Sequence, residues 1–167
     1  MGLFNFKSND DSEYDKYSMG FKKRKKYSKA EAAVLAPQFL KQVQESVNLI
    51  NSTTNPQVFF WRYGFAIFRL IELSKMEKLI KFSGKSPAKF KIEMIETKQA
   101  AICNLIDRMS KKYEDKIISL KTQKGKVSNV AKFYAELEPY HPEMEPETIN
   151  HFNNIYENLK TFINSQL

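Results

Sequence analysis

Between Val58 and Phe82 the chain reads VFFWRYGFAIFRLIELSKMEKLIKF, a stretch too apolar for any position except against the rest of the protein. From Phe59 to Leu73 the interrupting polar side chains are Arg62, Arg69 and Glu72, and the two arginines, seven residues apart, share one narrow stripe of a helix. The pattern predicts a buried helix over 56–82. Asn55 supplies its N-cap, Pro56 sits where a missing N–H costs nothing, and Gly84 offers a left-handed stop.

The same periodicity finds the other elements. Ser28-Lys29-Ala30-Glu31 is a capping-box pattern that opens a helix, with Pro37 expected to end or kink it near Leu35 and a second segment carried by Phe39, Val43, Val47 and Ile50. Ser86-Pro87 repeats the cap-then-proline start. From there Ile92, Ile95, Ile102, Leu105, Ile106, Met109, Tyr113, Ile117 and Leu120 trace one long amphipathic helix to about Lys121. Gly125 reads as its stop, a capped helix follows over 128–138, and the proline-rich 139–146 reads as a loop. Pro146 then opens a last helix marked by Ile149, Phe152, Ile155, Tyr156, Leu159, Phe162 and Ile163.

No sustained alternation of apolar and polar residues predicts a strand, so the expected class is all-α. The architecture expected is a single-domain bundle of about five helices over 28–167, built on a long antiparallel hairpin of 56–82 with 87–121. Residues 1–27, polar and irregular, read as a flexible basic tail.

Composition then narrows the partners. The net charge is +8, but residues 1–133 hold 26 Lys and Arg against 13 Asp and Glu, whereas 134–167 hold only Lys160 against six glutamates. Such asymmetry points to an acidic partner, or to docking of basic on acidic surface. The basic candidates for a partner or nucleic-acid contact are Lys22, Lys23, Arg24, Lys25 and Lys26 in the tail and Lys111, Lys112, Lys116, Lys121, Lys124 and Lys126 further on. The acidic docking patch is Glu136, Glu138, Glu143, Glu145 and Glu147. Tyr17, Phe21 and Tyr27 could stack bases beside the tail lysines, and Leu3, Phe4 and Phe6 could instead bring the tail to a membrane surface.

Catalytic chemistry finds few residues to carry it. Gly84-Lys85-Ser86 resembles the end of a phosphate-binding loop, but Leu79 stands where that loop needs a glycine. Glu147 and His151 share a helical face near His141, Glu143 and Glu145, yet bundle carboxylate sites draw Glu-x-x-His pairs from two helices and the chain's one such spacing, Glu138 to His141, falls in the proline-rich stretch, so no metal and no cofactor are expected. Cys103 reads as a small core residue, and Phe59, Phe60, Trp61, Tyr63, Phe65 and Phe68 as core packing rather than a stacking platform or a ligand pocket. A single cysteine and the absence of a signal-peptide pattern fit a cytoplasmic protein. The longest apolar run, with two arginines inside it, is too short and too charged to span a bilayer.

The runs NLINSTTNPQVFFWRY, residues 48–63, and IKFSGKSP, residues 80–87, resemble segments of uncharacterised helical proteins of low-GC Gram-positive bacteria and their mobile elements. The resemblance implies no activity. The leading expectation is therefore a non-enzymatic binding or adaptor module that meets a protein partner through charged surfaces. Nucleic-acid binding through the tail and the Lys-rich helix end is the first alternative, and a ligand-binding protein or enzyme with a pocket in the aromatic core the second.

Overall fold

The computed structural model describes residues 14–22, 24 and 26–165, and among them every regular element is helical. We label the helices α1 (Lys29–Ser52), α2 (Pro56–Met76), α3 (Pro87–Glu96), α4 (Lys98–Ser119), α5 (Gln123–Leu137) and α6 (Pro146–Ser165), with a 3-10 helix at Glu138–Glu143. The fold is all-α, and no described helix is long and apolar enough to cross a membrane. Two compact units divide the chain, Met1–Leu49 with Phe60–Glu96 and Ile50–Phe59 with Thr97–Leu167.

Local chemistry explains the starts. Ser28 Oγ accepts from the Glu31 N–H at 3.1 Å while the Ser28 N–H donates to Glu31 at 2.8 Å, the reciprocal box the sequence predicts for α1. Asn55 Oδ1 accepts from the Gln57 and Val58 amides at the head of α2, and Ser86 Oγ from the Lys89 amide at the head of α3.

Several boundaries differ from expectation. Pro37 does not end α1, which runs through it from Lys29 to Ser52; the proline ring is exposed and the flanking turns hold the helix across the lost hydrogen bond. Helix α2 stops at Met76, short of Phe82, and beyond it the Leu79 and Ile80 amides still turn back to the Met76 carbonyl. Gly84 does adopt a positive φ of 88°, but in the connection rather than at the helix end. The long helix expected to Lys121 is broken at Thr97, whose φ of −95° and ψ of 6° separate α3 from α4. In α3 the buried positions are Pro87, Lys91 and Met94, so Ile92 is left exposed. Gly125 is not a stop. It lies in the first turn of α5, where its amide donates to the capping Thr122 hydroxyl at 3.2 Å and a Cβ would sit 3.0 Å from that oxygen. The predicted proline-rich loop is wound into the 3-10 helix, since Pro139 and Pro142 fix the φ that a tight turn needs.

In the first unit the core is Phe39, Val43, Phe65, Ala66, Ile67, Phe68, Leu70, Ile71, Leu73 and Met76. Packing starts before residue 28: Tyr14 and Tyr17 are buried and lie against Phe68 and Tyr63, so this part of the expected tail is anchored by its own aromatic rings. Tyr63 joins α2 to α3 by donating to the Met94 carbonyl at 2.8 Å.

The second unit is an up-down-up arrangement of α4, α5 and α6. Tyr113, Phe133 and Phe152, one from each helix, form a ring column with centroids 5.8 and 5.7 Å apart. Cross-links fix the directions: Gln99 and Asp107 of α4 meet Thr148 and His151 of α6, so these two helices run the same way and α5 runs against them. Arg108 donates to the Ile50 and Thr53 carbonyls at 2.8 and 3.0 Å, satisfying groups that the end of α1 leaves open.

Candidate functional site

Topology sorts the charge of the second unit by position. Seven lysines lie between Lys111 and Lys132, against Glu114 and Asp115, around the turn from α4 to α5. Glu138, Glu143, Glu145 and Glu147 follow one another where α5 finishes and α6 begins, whereas Glu136 reaches back to Tyr113 beside Lys112. Both charges complement the helix dipoles of α4 and α6, whose N-termini are at the acidic end and whose C-termini are at the basic one.

The lysines share an end but not a face. Lys112 and Lys116 lie on one shoulder of α4, their ammonium groups 5.6 and 5.2 Å from the Tyr113 ring centroid. Lys111 points away from the buried stripe, and Glu114 and Asp115 stand between the cations. Lys121 and Lys124 are exposed and Lys126 is half-buried near the α5 start. Of the tail cluster, Lys22 and Lys26 are exposed and Arg24 ion-pairs with Glu31, while Lys23 and Lys25, with Leu3, Phe4 and Phe6, lie outside the described residues.

Two of the five acids are engaged within the unit. Glu143 ion-pairs with Lys98, and Glu136 accepts the Tyr113 hydroxyl proton at 2.6 Å. Burial and then the adjacent carboxylate make that hydroxyl harder to ionise than a free tyrosine. Gln99, which periodicity does not single out, clamps the head of α6: its amide donates to the Glu143 carbonyl, and its oxygen accepts from the Glu145 amide and the Thr148 hydroxyl. His151 meets Asp107 at 2.7 Å rather than Glu147, and His141 packs edge-on to Tyr134 and Phe152. Cys103 is half-buried, not a full core residue, 4.0 Å from the Thr148 hydroxyl.

Beside Lys112 the second unit opens a cavity of about 370 Å³, lined by Asn55, Gln57, Lys112, Glu136, Pro139 and Tyr140 among others. Its wall thus carries an ammonium group, a carboxylate and the first turn of α2, with a proline and a phenol ring supplying apolar surface. This cavity brings charged candidates from both predicted sets together, Lys112 and Glu136.

A second feature belongs to the first unit. Tyr63, Phe65 and Phe68, like Phe59 of the second unit, are buried as core packing requires and Phe60 is half-buried, but Trp61 is 45 % exposed, which corrects its expected place in the core. The reason is its position on α2, outside the arc that holds Tyr63, Ala66, Ile67 and Leu70. Its indole stacks on Phe65 at 5.2 Å with the planes 18° apart, and Phe21, 41 % exposed, packs on Phe65 and Phe68 at 6.0 and 5.1 Å.

Arginines border these rings. The Arg62 guanidinium lies 5.0 Å from the indole centroid, and that of Arg69 lies 4.0 to 5.9 Å from Phe39, Phe65, Phe68 and Phe21. Arg69 donates to Gln42 at 2.7 Å and makes no ion pair among the described residues; burial lowers its proton affinity. Glu72 is turned elsewhere, buried and bound by the Tyr27 hydroxyl and by Lys75. Compared with known proteins, the chain matches no family model, no curated protein and no solved structure.

Proposed function

We propose that this protein is a non-enzymatic binding module that takes a segment of a partner protein at the cavity beside Lys112, acting in a reducing, cytoplasmic setting that its single cysteine suits. The observation carrying this reading is the mixed wall of that cavity, where Lys112 and Glu136 stand with the head of α2. A peptide brings both an acidic side chain for the ammonium group and backbone N–H donors for the carboxylate. A phosphate backbone would have to pass Glu136 in the cavity wall, and like charges repel. The scatter of Lys111, Lys112, Lys116, Lys121 and Lys124 around one end, rather than along a groove, also favours a protein surface over a duplex.

Calorimetric titration with an acidic peptide of about ten glutamates at low salt tests it. Lys112→Ala should weaken binding several-fold and Lys111→Ala, on the outward face, should leave it nearly unchanged. Equal losses from the two variants would reduce the contact to unspecific attraction by net charge and reject the cavity.

A further inference from the structure

The exposed rings of the first unit call for a different ligand. Trp61 and Phe21 both rest on Phe65 and both show large fractions of their surface. Cations edge this ledge: Arg62 against the indole, Arg69 behind the phenyl rings, and exposed Lys22 next to Phe21. None of the three makes an ion pair among the described residues, and Arg69 is held by Gln42 and by the rings it lies against. Cations at the edge of rings left open to solvent fit a ligand that brings flat aromatic groups and negative charge together.

We propose that Phe21 and Trp61, both seated on the buried Phe65, form a stacking ledge for single-stranded nucleic acid, with Lys22 and Arg62 meeting its phosphates and Arg69 adding positive charge behind the rings. Single strands are recognised in this manner: bases stack on exposed aromatic side chains while a cationic border follows the backbone, and the contact is tolerant of sequence because every base has a flat face. A duplex is excluded by its paired and stacked bases, which offer no free face to Trp61. An anionic membrane would also attract the arginines, and a vesicle arm of the test separates the two. The site is separate from the cavity beside Lys112 and does not depend on it.

Trp61 is the sole tryptophan, so the ledge reports on itself. Oligothymidylate of about ten nucleotides, added at about 50 mM salt where such contacts are strong, should quench its fluorescence, and quenching should weaken steeply as salt rises. Trp61→Phe should keep most of the affinity measured by anisotropy of a labelled oligonucleotide, whereas Trp61→Ala should lose roughly tenfold or more. Arg62→Ala should lower the slope of log affinity against log salt by about 0.7, the share of one phosphate on a single strand. Circular dichroism identical to the parent would establish that each variant folds. Absence of binding at low salt overturns the proposal, as does equal affinity of Trp61→Ala and the parent, or a fluorescence response to phosphatidylserine vesicles with none to the oligonucleotide.

Discussion

The Tyr113 hydroxyl donates to Glu136 across the α4–α5 interface at 2.6 Å, and the ring that carries it is fully buried. Since folding makes this hydroxyl harder to ionise, the stabilisation is complete below the ordinary tyrosine value of about 10 and is lost progressively as pH rises above it toward the higher folded value. Each such tyrosine contributes a slope of at most about 1.4 kcal/mol per pH unit. Tyr113→Phe should cost about 1 to 2 kcal/mol at neutral pH and flatten the alkaline fall. Urea midpoints between pH 8 and 11 for parent and variant measure both.

Arg108 contributes a double cap that no side chain within α1 supplies, since α1 has no basic residue in its last turn. Arg108→Ala should destabilise by about 2 to 3 kcal/mol because two carbonyls lose a charged donor. Lysine should recover only part of this, having no planar fork to reach both oxygens. Thermal unfolding of the three proteins gives the order.

Pro37 stands in the middle of a continuous helix and faces solvent. Replacement by alanine restores a backbone hydrogen bond and removes a ring from a position it disfavours. Pro37→Ala should therefore raise stability, by up to about 3 kcal/mol. A lower denaturant midpoint would place a helix boundary at this residue after all.

Leu70 is wholly buried in α2, and Leu70→Ala should cost about 2 to 5 kcal/mol through lost contacts and the cavity left behind. Amide hydrogen exchange in α2 should accelerate with it. An unchanged midpoint would mean that this face of α2 is open to solvent.

How much was legible follows from where the signals are strong. The all-α class and the starts of α1, α2, α3 and α6 are written in short-range chemistry, caps followed by helical periodicity, that needs no tertiary information. The break at Thr97 has no such mark, because neither glycine nor proline stands there and the apolar spacing continues across it. Lys91 and Lys98 hid the buried stripe by filling core-facing positions with stems that bury while the charged group finds a partner. Trp61 misled for the opposite reason. Apolar neighbours on every side made its exposure invisible until the helix was wound and Phe21 came to rest beside it. Of the charged candidates, the ones that proved informative are those that topology places in unlike company, Lys112 with Glu136 above all.

The separation of lysines from glutamates along the second unit also has a kinetic meaning. A body with opposite charge at its two ends is a dipole, and an approaching charged molecule turns it before the surfaces meet. An acidic partner would be presented with the α4–α5 turn over distances of about a Debye length, roughly 10 Å at 0.1 M salt, so fewer encounters are wasted in the wrong orientation. Added salt then acts on the rate of arrival more than on the lifetime of the complex. What looks along the chain like an uneven distribution of lysine and glutamate would, for the acidic partner proposed above, serve as a means of aiming.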